Sequence, residues 1–307
     1  MPAQIGICPS KAVAVALLIA ATALAAVGCG FGPGEDVGVV ELTVTRDYGS
    51  VPMLHRLVGD VTEADTVMRV LERNADVSTR YGGGFVQSID GYQGSGGGGR
   101  DWFYYVNGLW APIGAADFKL HGGEAIWWDY RDWSVGERVA AAVGAWPQPF
   151  AGGYEGSFHP TAVSCFGAGA ACGVVKERLK DAGAELVAPA TAGAIRVLVG
   201  PWSRIEADRD AGLLARGVGV SGAFAEFGAG GRVLLGLDEH GDVGQRFGPH
   251  AGLVAAVRWE ERPPAWLITG VDVAGVASAA DLLEADSLRD HYTVAVDEKG
   301  ETALPLR

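Results

Sequence analysis

The chain has 307 residues, room for about two domains, and 49% of them are hydrophobic, so it can bury sizeable cores. Its formal charge is −13 and it offers no basic stripe for phosphates, which argues against a nucleic-acid partner. With 47 glycines it favours turns and β-rich architecture over long helices.

Residues 1–29 read as a targeting segment rather than fold. Lys11 precedes an apolar run, Ala12 to Val27, shorter than the roughly 20 residues that span a bilayer. The run ends Ala26-Val27-Gly28-Cys29, which resembles a bacterial lipobox. That resemblance implies a diacylated Cys29 as the new N-terminus and a lipid anchor on the extracytoplasmic face of the cell membrane. Plain secretion and a retained membrane anchor are the alternatives. Removing residues 1–28 deletes Lys11 and no acid, taking the charge from −13 to about −14. Residues 30–38 read as a flexible tether.

Val39 to Thr45 alternates, with Val40, Leu42 and Val44 facing in, as a half-buried strand does. Met53 to Val61 suggests a second strand. Thr62 reads as the N-cap of a helix over 63–74, with Asp65 as its capping-box acid and Ala64, Val67, Met68 and Leu71 as one buried stripe. Phe85 to Asp90 is another strand. Gly94 to Gly99 precedes an aromatic strand and not a helix, so it is a loop or a lid rather than a phosphate cradle.

Arg100 to Trp133 carries five of the nine tryptophans. Trp102 to Val106 and Ala125 to Arg131 read as strands, with Asn107-Gly108 as a turn signal. Alternation puts Trp102, Tyr104 and Val106 on one face and Phe103, Tyr105 and Asn107 on the other. Likewise Ile126, Trp128 and Tyr130 oppose Trp127, Asp129 and Arg131. Both faces carry large aromatic rings, more than one core requires. The first set is expected to pack on the helix. The second is expected to meet a flat ligand through Phe103, Tyr105 and Trp127, rimmed by Trp110 and Trp133 and oriented by Asn107 and Asp129.

The run Trp102-x-Tyr104-x-Val106-Asn107-Gly108, then Gly123-Glu124-x-Ile126-x-Trp128-x-Tyr130, resembles the transcobalamin C-terminal-like domain family, of the soluble-ligand-binding β-grasp group. The resemblance covers about Val39 to Trp133. Glu124 stands where Asp is usual, and the large helical domain of the vitamin carriers has no counterpart here. The resemblance implies a β-grasp fold and cobalamin or another corrinoid as ligand.

Trp146-Pro-Gln-Pro-Phe-Ala-Gly-Gly reads as a boundary. Beyond it, helices are expected over Gly173–Ala182, Ile205–Arg216 and Val276–Leu283. Strands are expected over Ala194–Trp202, Ala223–Phe227, Arg232–Leu237, Leu253–Trp259, Trp266–Val271 and Tyr292–Val296. The expected fold is therefore α+β, an N-terminal β-grasp domain (39–145) followed by a separate α/β sandwich domain (146–307). In an oxidising compartment Cys165 and Cys172 are most simply a disulfide. With His159 they supply too few ligands for a metal, and no metal site is expected.

The second half offers no catalytic pattern. The stretch Gly219-Val-Ser221-Gly-Ala lacks the spacing of a nucleophile elbow, and the histidines are scattered. Asp272 reads as a helix cap. The expectation is a lipid-anchored binding protein and not an enzyme. An envelope module that docks a protein or a glycan, such as an accessory to a transporter, is the alternative.

Overall fold

The computed structural model describes residues 34–307 apart from 96, 98, 137 and 138. The leader, Cys29 and the first part of the tether lie outside these residues.

The first half is built on two long strands, β1 (Asp36–Arg46) and β2 (Val51–Thr62), paired antiparallel. The end of the expected tether, Asp36 to Gly38, is already strand. The helix α1 runs Val67–Glu72, later and shorter than expected. Its N-cap is Thr66, whose hydroxyl accepts from the Arg69 amide at 3.3 Å. Asp65 does not close a box on the helix. Its carboxylate accepts from the Thr62 amide at 2.9 Å and fixes the turn before it.

A three-stranded sheet follows, β3 (Val77–Arg80), β4 (Phe85–Ile89) and β5 (Tyr92–Gln93). Then come β6 (Arg100–Val106), β7 (Leu109–Trp110) and β8 (Ala125–Asp132). The main sheet has the order β2-β1-β8-β6-β7. β1 and β8 are parallel neighbours, and β8 pairs antiparallel with β6. Asn107 (φ 52°) and Gly108 (φ 76°) do make a two-residue hairpin turn, as their left-handed backbones permit. The turn leads into β7, however, pairing Val106 with Leu109 and Tyr105 with Trp110. The chain needs a longer excursion, 111–124, before it returns as β8.

The alternation holds. Val40, Leu42 and Val44, Trp102, Tyr104 and Val106, and Ile126 and Trp128 share one buried cluster with Val67, Met68, Val70 and Leu71 of α1. Tyr104 and Trp128 stack with ring centroids 4.8 Å apart.

The second half contains β9 (Thr161–Cys165), α2 (Gly169–Asp181) and β10 (Ile195–Pro201), then short helices α3 (Trp202–Ile205), α4 (Ala211–Ala215) and α5 (Val218–Ser221). A small antiparallel sheet follows, β11 (Ala225–Gly228), β12 (Val233–Leu237) and β13 (Val243–Arg246). The chain closes with β14 (Gly252–Val257), β15 (Ala265–Gly270), α6 (Val273–Asp281), α7 (Ala285–Leu288), β16 (Thr293–Asp297) and β17 (Gly300–Leu304). The large sheet has the order β17-β16-β14-β15-β10-β9, parallel along β9, β10 and β15 and antiparallel beyond. Asp272 caps α6, accepting from the Gly275 amide at 3.0 Å.

Alternation again sorts the faces. Val254, Ala256, Trp266 and Ile268 bury with Val175 and Leu179 of α2 and Val276 and Ala279 of α6. Leu253, Ala255, Val257, Ala265 and Leu267 point the other way, into a cluster that also holds Tyr48, Tyr105 and Trp127 of the first half. The expectation of a separate second domain is corrected there, because the halves share a continuous core. Each sheet carries one apolar face too many for its own helices, and the two surplus faces cover each other.

Cys165 and Cys172 are joined, tying the end of β9 to the start of α2. Replacing both by serine should lower stability by about 2–3 kcal/mol in the chain-entropy model, read as a lower urea midpoint with an unchanged slope.

Candidate functional site

The second aromatic face is not open. Tyr105 and Asp129 are fully buried and Trp127 is 4% exposed. The Tyr292 ring, from the second half, lies 4.8 Å from Trp127 and 5.6 Å from Tyr105. The Asp129 carboxylate accepts from Thr45 Oγ1 at 2.6 Å, the Gly49 amide at 3.2 Å and the Tyr292 hydroxyl at 3.0 Å. Burial pushes this carboxyl up from its ordinary value, against its three hydrogen bonds and the charge of Arg131. Arg131 is itself buried, with its guanidinium 3.9 Å over the Phe103 ring and donating to the Gly136 carbonyl at 2.7 Å. Asn107 is equally committed. Its amide donates to the Gly153 carbonyl and its oxygen accepts from the Ala125 amide, both at 2.8 Å. The ligand-facing expectation for Tyr105, Asn107, Trp127 and Asp129 is corrected: in this structure they join the halves. Trp133, half-buried, donates its amide to Gly99 at 2.8 Å.

The same junction holds Asp290 at φ 59° beside a small cavity lined also by Glu41, Trp127 and Arg289. Burial raises its carboxyl to about 6, with Arg289 and His55 pulling the other way. An acid whose folded value lies above its unfolded value stabilises the fold at low pH, and loses that contribution as pH rises through the folded value. Stability should therefore fall between about pH 4 and the Asp290 value of about 6. Asp290→Asn keeps the left-handed backbone, which Asn tolerates. Urea titrations should show the variant matching the wild type at pH 4 and exceeding it at pH 7.

Phe103 and Trp110 have a different fate. An apolar groove of about 260 Å³ is lined by both, together with Met68, Phe85, Trp102, Tyr104, Ile113 and Trp128. Trp110 and Pro112 also line a second, larger cleft of about 520 Å³ on the side of the second half. β7 sets Trp110 there: its amide donates to the Ala140 carbonyl at 3.2 Å. The second half lines it with Trp259, which follows β14, with Arg216 from the end of α4 and with Gly219 and Val220 of α5. Arg216 lies over the Trp259 ring, 4.6 Å from its centroid. Arg258, 7% exposed, also lines the cleft and donates to Glu155 at 2.7 Å and to the Arg262 carbonyl at 2.8 Å. Glu260 and Glu261 complete the rim.

The cleft thus sets two indoles and a proline against both signs of charge, a lining that suits a small organic guest. Of the residues singled out in the sequence, it gathers only Trp110, with Phe103 one cavity away. Arg216, Arg258 and Trp259 escaped notice. Trp259 ends a predicted strand beside two acids, a signal of the same kind that marked Trp110. Arg216 carries no such mark. Among the described residues, no group of three or more His, Cys, Asp or Glu is placed to hold a metal ion.

Residues 64–132 match the family model described as a domain of unknown function, DUF4430. That match falls inside the transcobalamin-like stretch and carries a different family description. No curated protein matches the chain. A solved structure from Ruminococcus gnavus ATCC 29149, described as a "putative metal binding protein", is similar over 31% of this chain and 97% of its own, at 16% identity and a TM-score of 0.25. A score that low carries no argument about fold or ligand.

Proposed function

We propose that this is an exported binding protein, anchored by lipid at Cys29, that holds a small flat ligand in the cleft between Trp110 and Trp259. The observation that carries the reading is that two tryptophans from different halves of the chain line one open cavity of about 520 Å³. Aromatic walls give large contact area at little entropic cost. The order β2-β1-β8-β6, with β1 parallel to β8 and α1 across one face, supports a β-grasp for the first half. No helix among the described residues is long and apolar enough to cross a membrane.

A corrinoid is the ligand that the family resemblance implies. A corrin ring with its amide arms is larger than either cavity beside Trp110, so it would be gripped only by an edge. A smaller aromatic ligand suits the cleft better. The test is a ligand-observed saturation-transfer screen of small aromatic acids, amides and amines, with cyanocobalamin as a separate arm. True cleft ligands should weaken about tenfold, or about 1.4 kcal/mol, in Trp259→Ala. Hits that ignore that substitution would remove the cleft reading. Strong quenching of tryptophan fluorescence by micromolar cyanocobalamin would restore the corrinoid.

The envelope-module alternative draws on a different surface. Tyr81, at 87% exposed, projects from the β3–β4 connection with Phe85 packed edge-on at 6.4 Å, and Ile113 is 50% exposed. A stoichiometric protein partner lost on Tyr81→Ser would favour it.

A further inference from the structure

The reading of the cleft as a ligand site leaves its charges unexplained. Among the described residues five ionised groups line it: Arg216, Arg258, Glu155, Glu260 and Glu261. Arg258 and Glu155 neutralise each other at 2.7 Å. Among the described residues the other three have no ion-pair partner. Arg216 lies over the Trp259 ring with its guanidinium carbon 4.6 Å from the centroid, and no carboxylate among the described residues lies within ion-pair distance of it. Glu260 and Glu261 border the same cavity and are likewise without a cationic partner among the described residues. A guanidinium seated over a ring keeps N–H groups that can meet a planar anion in two parallel hydrogen bonds. Opposite charges that share one cavity without touching leave room for a guest between them.

Resting on the cleft reading, we infer that the ligand is a small zwitterion with an apolar, ring-bearing body, of the kind an aromatic α-amino acid represents. Its carboxylate meets Arg216. Its ammonium meets Glu260 and Glu261. Its ring lies between Trp110 and Trp259. The groove behind Trp110 and Pro112, lined by Met68, Trp102 and Trp128, extends the apolar side of the site. An anion alone would face the net negative rim, and a cation alone would leave Arg216 unanswered, so one guest of both signs fits better than either.

Saturation-transfer and calorimetric titrations with three probes test this. They are L-phenylalanine, its N-acetyl derivative, which is anionic only, and its methyl ester, which is cationic only. L-Phenylalanine should bind at least about tenfold more tightly than either derivative. Arg216→Gln should bring L-phenylalanine down to the level of the ester. The pair Glu260→Gln/Glu261→Gln should bring it down to the level of the N-acetyl compound. All three side chains lie on the surface of the fold, so these variants should keep the wild-type unfolding midpoint. Equal binding of the three probes, or no binding of L-phenylalanine, overturns the zwitterion. If aromatic hits that depend on Trp259 persist in that case, the cleft reading stands without it. If they vanish as well, both fall.

Discussion

Asp129→Ala should cost about 3–5 kcal/mol of stability, the loss expected when one member of a buried, hydrogen-bonded charge cluster is removed. Three donors converge on this carboxylate: the Thr45 hydroxyl, the Gly49 amide and the Tyr292 hydroxyl. Thr45 Oγ1 in turn accepts from the Trp127 indole at 2.8 Å, so the loss spreads to the ring beside it. Truncation takes the acceptor from all three donors in a site with no exposure. Asp129→Asn is the informative control. It keeps an acceptor of the same shape and should lose only about half as much. Urea unfolding followed by circular dichroism and by tryptophan emission should give coincident transitions for both variants, because the cluster joins the halves. A loss below about 1 kcal/mol for the alanine would mean that water reaches the site.

That cluster also shows where sequence reading stops. Period-two alternation placed Trp102, Tyr104, Ile126 and Trp128 correctly, because a strand offers only two faces and α1 lies close by in the chain. The same rule put Tyr105, Trp127 and Asp129 on the opposite face, and that too is what the structure has. What alternation cannot say is which atoms cover a face. The cover comes from Tyr292, Phe224 and Leu253, roughly a hundred residues or more downstream, and each reads locally as ordinary core. An apolar face turned toward a ligand and one turned toward the chain's own second half have the same sequence pattern.

The turn at Asn107-Gly108 was legible as a turn, while the strand it leads to was not, since β7 spans only Leu109–Trp110. The cleft was harder still. Trp110 stands out by its aromatic surroundings, whereas Arg216 and Trp259 come to line the same cleft only through the packing of α4 against β14. Side chains that gain their role from tertiary approach leave no local period to detect.

Gly49→Ala should be among the most damaging single substitutions in the protein, at about 4 kcal/mol or more. Gly49 sits in the turn between β1 and β2 at φ 82°, where an L side chain is strained. A Cβ there would lie 1.7 Å from the Asp290 carbonyl oxygen and 3.1 Å from Cζ2 of Trp127. Neither neighbour is a flexible side-chain end. One is backbone of the second half and the other is a buried indole. The Gly49 amide also donates to Asp129, so pushing the turn outward breaks the cluster described above. Gly91 provides the matched control, because it has the same φ of 82° and nothing within 4 Å of its would-be Cβ. Gly91→Ala therefore carries only the left-handed strain of about 1–2 kcal/mol. The difference between the two variants measures the close approach of the halves. Equal losses from urea titration would show that the second half can back away from the turn without penalty, and that the shared core is looser than its packing implies.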